Sequence, residues 1–118
     1  MSKMEITLYK FEVVCGKEDL AREWLDFLDM HKEVGVRLLK RERAFLEAYF
    51  TATENGVMYV YMFFAAKEID FSNHAALNSQ DALDMKHFEY MRNCINMNAG
   101  EIMDCRLCLD NLEDLGKY

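Results

Sequence analysis

The chain has 118 residues, 52% hydrophobic and 30% charged, which is enough apolar surface for a core in one domain spanning 1–118 without metals or disulfides. Its formal net charge of −7 argues against nucleic acid and anionic membranes as partners, because both are gripped by an excess of Lys and Arg. With no proline in the chain, its turns must rest on Gly, Asn, Asp and Ser.

The opening MSKMEITLYK lacks an unbroken apolar core and a small-residue cleavage site, so a cytoplasmic protein is expected. Four cysteines, Cys15, Cys94, Cys105 and Cys108, then read as reduced, half-buried thiols. Residues 4–14, rich in β-branched and aromatic types, form a first strand that Gly16 stops. From Glu18 the period changes. Leu20, Trp24, Phe27, Leu28, His31, Val34 and Leu38 recur at helical steps, with acids early and Arg37, Lys40 and Arg41 late, which predicts one amphipathic helix bent or broken at Gly35.

Residues 44–53 and 57–66 flank Asn55-Gly56, the strongest short-range hairpin signal, and form strands two and three. A two-residue loop sets Glu47 opposite Phe64 and Tyr49 opposite Met62, whereas a three-residue loop shifts that pairing by one. The apolar run VMYVYMFFAA (57–66) is about half the length a membrane-spanning helix needs, and it is read as a strand buried on both faces. Residues 67–80 are polar and aperiodic, a candidate lid carrying His74. Ser79 is the expected N-cap of a second helix reaching about Asn96, and 101–112 reads as a half-exposed fourth strand.

The order β-α-β-β-α-β predicts an α+β, ferredoxin-like domain: a four-stranded antiparallel sheet with strands one and three central and two helices on one face. Strand three then needs cover on its second face, and a second copy of the sheet supplies it. A homodimer packed face to face as a dimeric α+β barrel is expected.

The stretches TLYKFEVVCGKEDLAREWLDFL (7–28), FLEAYF (45–50), YVYMFF (59–64) and KHFEYMRNCI (86–95) together resemble an uncharacterised family of dimeric α+β barrel proteins. That family is similar in fold to the antibiotic-biosynthesis monooxygenase and haem-degrading groups, whose ligands lie between sheet and helices. The resemblance therefore implies a space between helices and sheet, and no particular chemistry.

Among candidate residues, His87 shares a helical face with Leu83, Tyr90, Met91 and Cys94 and should look toward the sheet, as a ligand contact, a proton carrier or a neutral core imidazole. Tyr90 lies one turn on, Trp24 and His31 approach from the first helix, and Tyr49 and Glu47 come from strand two. Glu47 between aromatics is a candidate base with a raised pKa. Cys105 and Cys108, three apart on a strand, point to opposite faces and fit neither a metal nor a disulfide. No metal and no cofactor is expected, and haem enters only through an enzymatic reading.

Three functions follow in descending order. The first is a homodimer that binds a small apolar or aromatic molecule through His87, Tyr90, Trp24, His31 and Tyr49. The second is a structural dimer with a filled core. The third is a cofactor-free monooxygenase-like or haem-binding enzyme using His87.

Overall fold

The computed structural model describes residues 4–118; the first three residues of the opening stretch lie outside the description. Strand β1 (Glu5–Val13) alternates, sending Thr7, Tyr9, Phe11 and Val13 to one face of the sheet and Ile6, Leu8, Lys10 and Glu12 to the other. Gly16, at φ +89°, turns the chain into α1 (Glu18–Met30), whose acidic first turn suits the positive end of the helix dipole. The break expected at Gly35 falls instead at His31. Its amide is shared between the Phe27 and Leu28 carbonyls at 3.2 Å each, and its Nδ1–H also donates to the Phe27 carbonyl at 2.9 Å. This closes α1, and α2 (Lys32–Arg41) starts anew with Gly35 inside it.

Strands β2 (Ala44–Glu54) and β3 (Val57–Ala66) form the predicted hairpin. Both turn residues have positive φ, +53° at Asn55 and +79° at Gly56, and the register sets Glu47 against Phe64 and Tyr49 against Met62.

The expected polar lid at 67–80 is largely helical, as α3 (Ile69–Leu77). Its first amide donates to the Glu5 carboxylate at 2.7 Å, and the Ser72 hydroxyl donates to the Glu42 carbonyl at 2.6 Å, so distant residues hold it. Asp81, not Ser79, caps α4 (Ala82–Cys94) by accepting from the Leu83 amide at 2.9 Å; Ser79 in turn accepts from the Asp81 amide at 3.1 Å.

The fourth strand also lies earlier than expected. β4 (Ile95–Asp104) follows α4 without a loop and pairs antiparallel with β1 from Gly100–Phe11 to Asp104–Thr7. Its polar residues are tolerated because it is an edge strand. A side chain at Gly100 would begin 2.8 Å from the Lys10 carbonyl oxygen, so the close approach of β4 to β1 requires glycine there. Residues 105–111, expected in this strand, lie outside it, and the argument from strand alternation about Cys105 and Cys108 loses its premise.

The antiparallel sheet has the order β2-β3-β1-β4, with β1 and β3 central. Four helices replace the expected two, and all pack on the face carrying Tyr9, Val13, Val60 and Phe64. There α1 and α4 bury Trp24, Met91 and Cys94 against Val13, Met58 and Val60, while Leu39 of α2 and Ile69 of α3 close on Phe64 and Ala66. The opposite face carries Ile6, Leu8, Phe63, Ala48 and Phe50. Among the described residues, no helix is long and apolar enough to cross a membrane.

Candidate functional site

Between the helices and the helix-bearing face of the sheet lies an open cavity of about 820 Å³. Tyr9, Met62 and Phe64 form its floor, Glu47 and Tyr49 one wall, and Asp84 and His87 its roof. The space beside His87 is therefore not filled by the protomer's own side chains.

His87 comes from the inward face of α4. The Trp24 indole N–H, which can only donate, bonds to His87 Nδ1 at 2.9 Å. Nδ1 must then carry the lone pair and Nε2 the proton. Burial drives the imidazole pKa down to about 4, so it is neutral at physiological pH. Among the described residues, no buried polar side-chain atom is left without a partner. His87 is one of the residues that line the cavity, with its proton on Nε2.

This tautomer bears on two roles expected for His87. An axial haem ligand needs its lone pair on Nε2, whereas the Trp24 bond places it on Nδ1. An Nε2–H imidazole with a pKa near 4 is equally unsuited to accept a proton from a ligand in the cavity.

Tyr49 stands edge-on to both rings, its centroid 5.8 Å from Trp24 and 6.5 Å from His87. Glu47, two residues earlier on the same face of β2, lines the cavity from an edge strand and is exposed as a residue, while protein packs around its carboxyl. Burial raises its pKa, the Tyr49 phenol holds it down in part, and the Asp84 charge raises it further. Burial, then the neighbouring Glu47 charge, lifts the Tyr49 phenol well above its usual range.

Two acids that the sequence did not single out share this wall. Glu42, after α2, is pushed up to about 7 by burial and by the charges of Asp84 and Glu47, with Arg41 opposing. Asp84 is raised by burial against a Ser79 hydrogen bond. Asp84 sits one turn before His87 on α4, and that spacing was the available signal; Glu42 carried none.

The other candidates lie elsewhere. Trp24 is fully buried behind His87 and does not line the cavity. The Tyr90 hydroxyl donates to Glu23 at 2.8 Å, and its ring lies 5.5 Å from Phe27, on the α1 side. His31 is exposed at the α1–α2 junction, and His74 is exposed on α3. Among the described residues, no group of three or more His, Cys, Asp or Glu is placed to hold a metal.

No curated protein and no solved structure matches the chain. The pattern of one family does match it over residues 4–112, nearly its whole length, and the chain therefore belongs to that family, a family of unknown function (DUF6176).

Proposed function

We propose that the protein binds a small, largely apolar molecule in this cavity, and that His87 Nε2–H donates to a carbonyl or similar acceptor on it. The observation that carries this reading is the Trp24–His87 bond, which leaves the proton of a neutral imidazole on Nε2 in a residue that lines an open, aromatic-lined space. Tyr49 packs against the bound molecule, while Trp24 acts from behind. An unfilled cavity favours this over a structural dimer with a filled core.

The protein works as a homodimer in the cytoplasm. The strand order, with β1 and β3 central, supports a ferredoxin-like plan elaborated by the α1–α2 break and α3. The second face of the sheet, where Ile6, Leu8, Phe63 and Phe50 lie beside the Lys10–Glu54 ion pair, supports pairing with another copy as a dimeric α+β barrel.

The test uses the single tryptophan as an energy donor to prodan, a flat neutral ketone. Saturable, blue-shifted prodan emission excited through Trp24 is expected, with affinity several-fold weaker in His87→Phe. Absence of saturable binding, or equal affinity in the variant, overturns the reading.

A second reading, an enzyme, is favoured by one observation: Glu47 and Glu42, carboxyls of raised pKa, share the cavity with the His87 donor. A donor polarising a carbonyl beside a carboxyl base is an arrangement that moves a proton from the adjacent carbon. Exchange of α-deuterium from a bound ketone, abolished in Glu47→Gln, would distinguish it from binding alone.

A further inference from the structure

The cavity crosses the whole sheet, and its two ends differ. Tyr49 of β2 pairs with Met62 of β3, Met62 with Tyr9 of β1, and Tyr9 with Ile102 of β4, so these four side chains stand in one row across the strands. All four line the cavity. Three strand spacings of about 4.8 Å make the row roughly 14 Å long.

At the β4 end the lining is apolar and wet. Ile102 is 72% exposed and Met97, on the same strand, 66%. Both would gain by being covered. Lys10 and Glu101 also border the cavity, but by alternation they belong to the other face of the sheet, where the Lys10 ammonium pairs with Glu54 at 3.1 Å.

At the β2 end, Glu42, Glu47 and Asp84 line the cavity from three different elements. They are close enough that the Asp84 charge raises the pKa of both glutamates and the Glu47 charge raises that of Glu42. Among the described residues none of the three forms an ion pair. Arg41 offsets Glu42 and Asp84 only in part and does not line the cavity, the lining Lys32 is taken by Asp29 at 3.2 Å, and His87 is neutral. Negative charge therefore collects at this end without a cation of the protein's own to offset it, beside the Tyr49 ring, a group whose π face attracts cations.

We propose that the cavity takes an elongated amphiphilic amine, with its protonated nitrogen among Glu42, Glu47 and Asp84 and its apolar body along the Tyr49–Met62–Tyr9–Ile102 row. This rests on the ligand-binding reading above and adds the ligand's charge and direction. An ammonium brings three N–H donors and the missing positive charge, whereas a carboxylate would bring a further like charge and an alcohol none. The reverse orientation would set a charge against Ile102 and Met97 and an apolar end among carboxyls, which costs desolvation at both ends.

The test displaces prodan at pH 7.5 with decylamine, 1-decanol and decanoate, which share one chain length and differ in the charge of the head. Decylamine should act at a concentration roughly tenfold below decanol, with decanoate the weakest. In Glu42→Gln/Glu47→Gln, which leaves most of the net charge of −7 in place, the advantage of the amine over the alcohol should shrink to about twofold. Ile102→Asn alters a residue exposed at the far end, and it should weaken amine and alcohol alike. If prodan binds but decanol matches decylamine, or the amine keeps its advantage in the double variant, or Ile102→Asn changes neither affinity, the proposal is overturned and apolar binding stands. No saturable prodan binding overturns both.

Discussion

The Trp24 indole N–H bonds His87 Nδ1 across α1 and α4 at 2.9 Å, and this one bond decides which imidazole nitrogen carries the proton. In Trp24→Phe the bond is lost and a small void replaces the larger ring. The variant should lose about 2–4 kcal/mol of stability by denaturant unfolding. Long-range ¹⁵N–¹H spectra of the unaltered protein should show pyridine-like Nδ1 and pyrrole-like Nε2. The opposite assignment would remove the donor on which ligand binding is argued.

The groups around the cavity make stability depend on pH in opposite directions. Folded His87 has a pKa of about 4 against an ordinary 6.5, so between those values the unfolded chain binds more protons. Its contribution, about 3 kcal/mol at neutral pH, is lost as pH falls through that window. Glu42 works the other way. Its folded pKa of about 7 lies above the ordinary 4.5, so the native state binds the extra proton and gains stability as pH falls from 7 toward 4.5. Glu42→Gln should therefore stabilise the protein at pH 7.5 by about 1–2 kcal/mol, allowing for solvent screening, and by almost nothing at pH 4.5. A constant difference at both pH values in urea titrations would contradict the burial of Glu42.

What the sequence disclosed, and what it hid, divides by whether the cause is local. The hairpin was legible because Asn55-Gly56 encodes its own turn, whereas its register was open between a two- and a three-residue loop until the structure paired Glu47 with Phe64 and Tyr49 with Met62. The helix α3 was not, because Glu5, 64 residues away, satisfies its first amide and Ser72 anchors it to the Glu42 carbonyl. Strand β4 was misplaced because NMNAG reads as a loop; it becomes a strand only where Gly100 can approach Lys10 of β1. His87 facing inward followed from helical period, whereas its separation from Tyr90 did not: the two lie three residues apart, and Glu23 draws the phenol to the α1 side. Glu42 belongs to the site only because α2, β2 and α4 converge there.

Gly100 is the most position-bound glycine in the sheet. At φ +145° any other residue is strained, and a Cβ would meet the Lys10 carbonyl oxygen at 2.8 Å, a backbone atom unable to swing aside. Gly100→Ala should cost about 1–3 kcal/mol and speed hydrogen exchange at the amides joining β4 to β1, while those joining β2 to β3 stay protected. Equal loss of protection in both pairs would mean the strain is not confined to β4.

The four thiols should separate into two classes. Cys15, Cys105 and Cys108 are exposed, whereas Cys94 is fully buried at the end of α4, where burial raises its pKa to about 11. The thiolate is the reactive species, so Cys94 is protected twice, by access and by protonation. At pH 8 an aromatic disulfide reagent should titrate three thiols rapidly in the native protein and the fourth only on unfolding. Because Cys94 packs with Trp24 and Met91, its slow phase reports opening of the α1–α4 core that orients His87. Trp24→Phe should accelerate that phase in proportion to the stability it loses. A Cys94 that reacts as fast as Cys105 in the unaltered protein would show that this core opens readily, and His87 would then have no fixed direction.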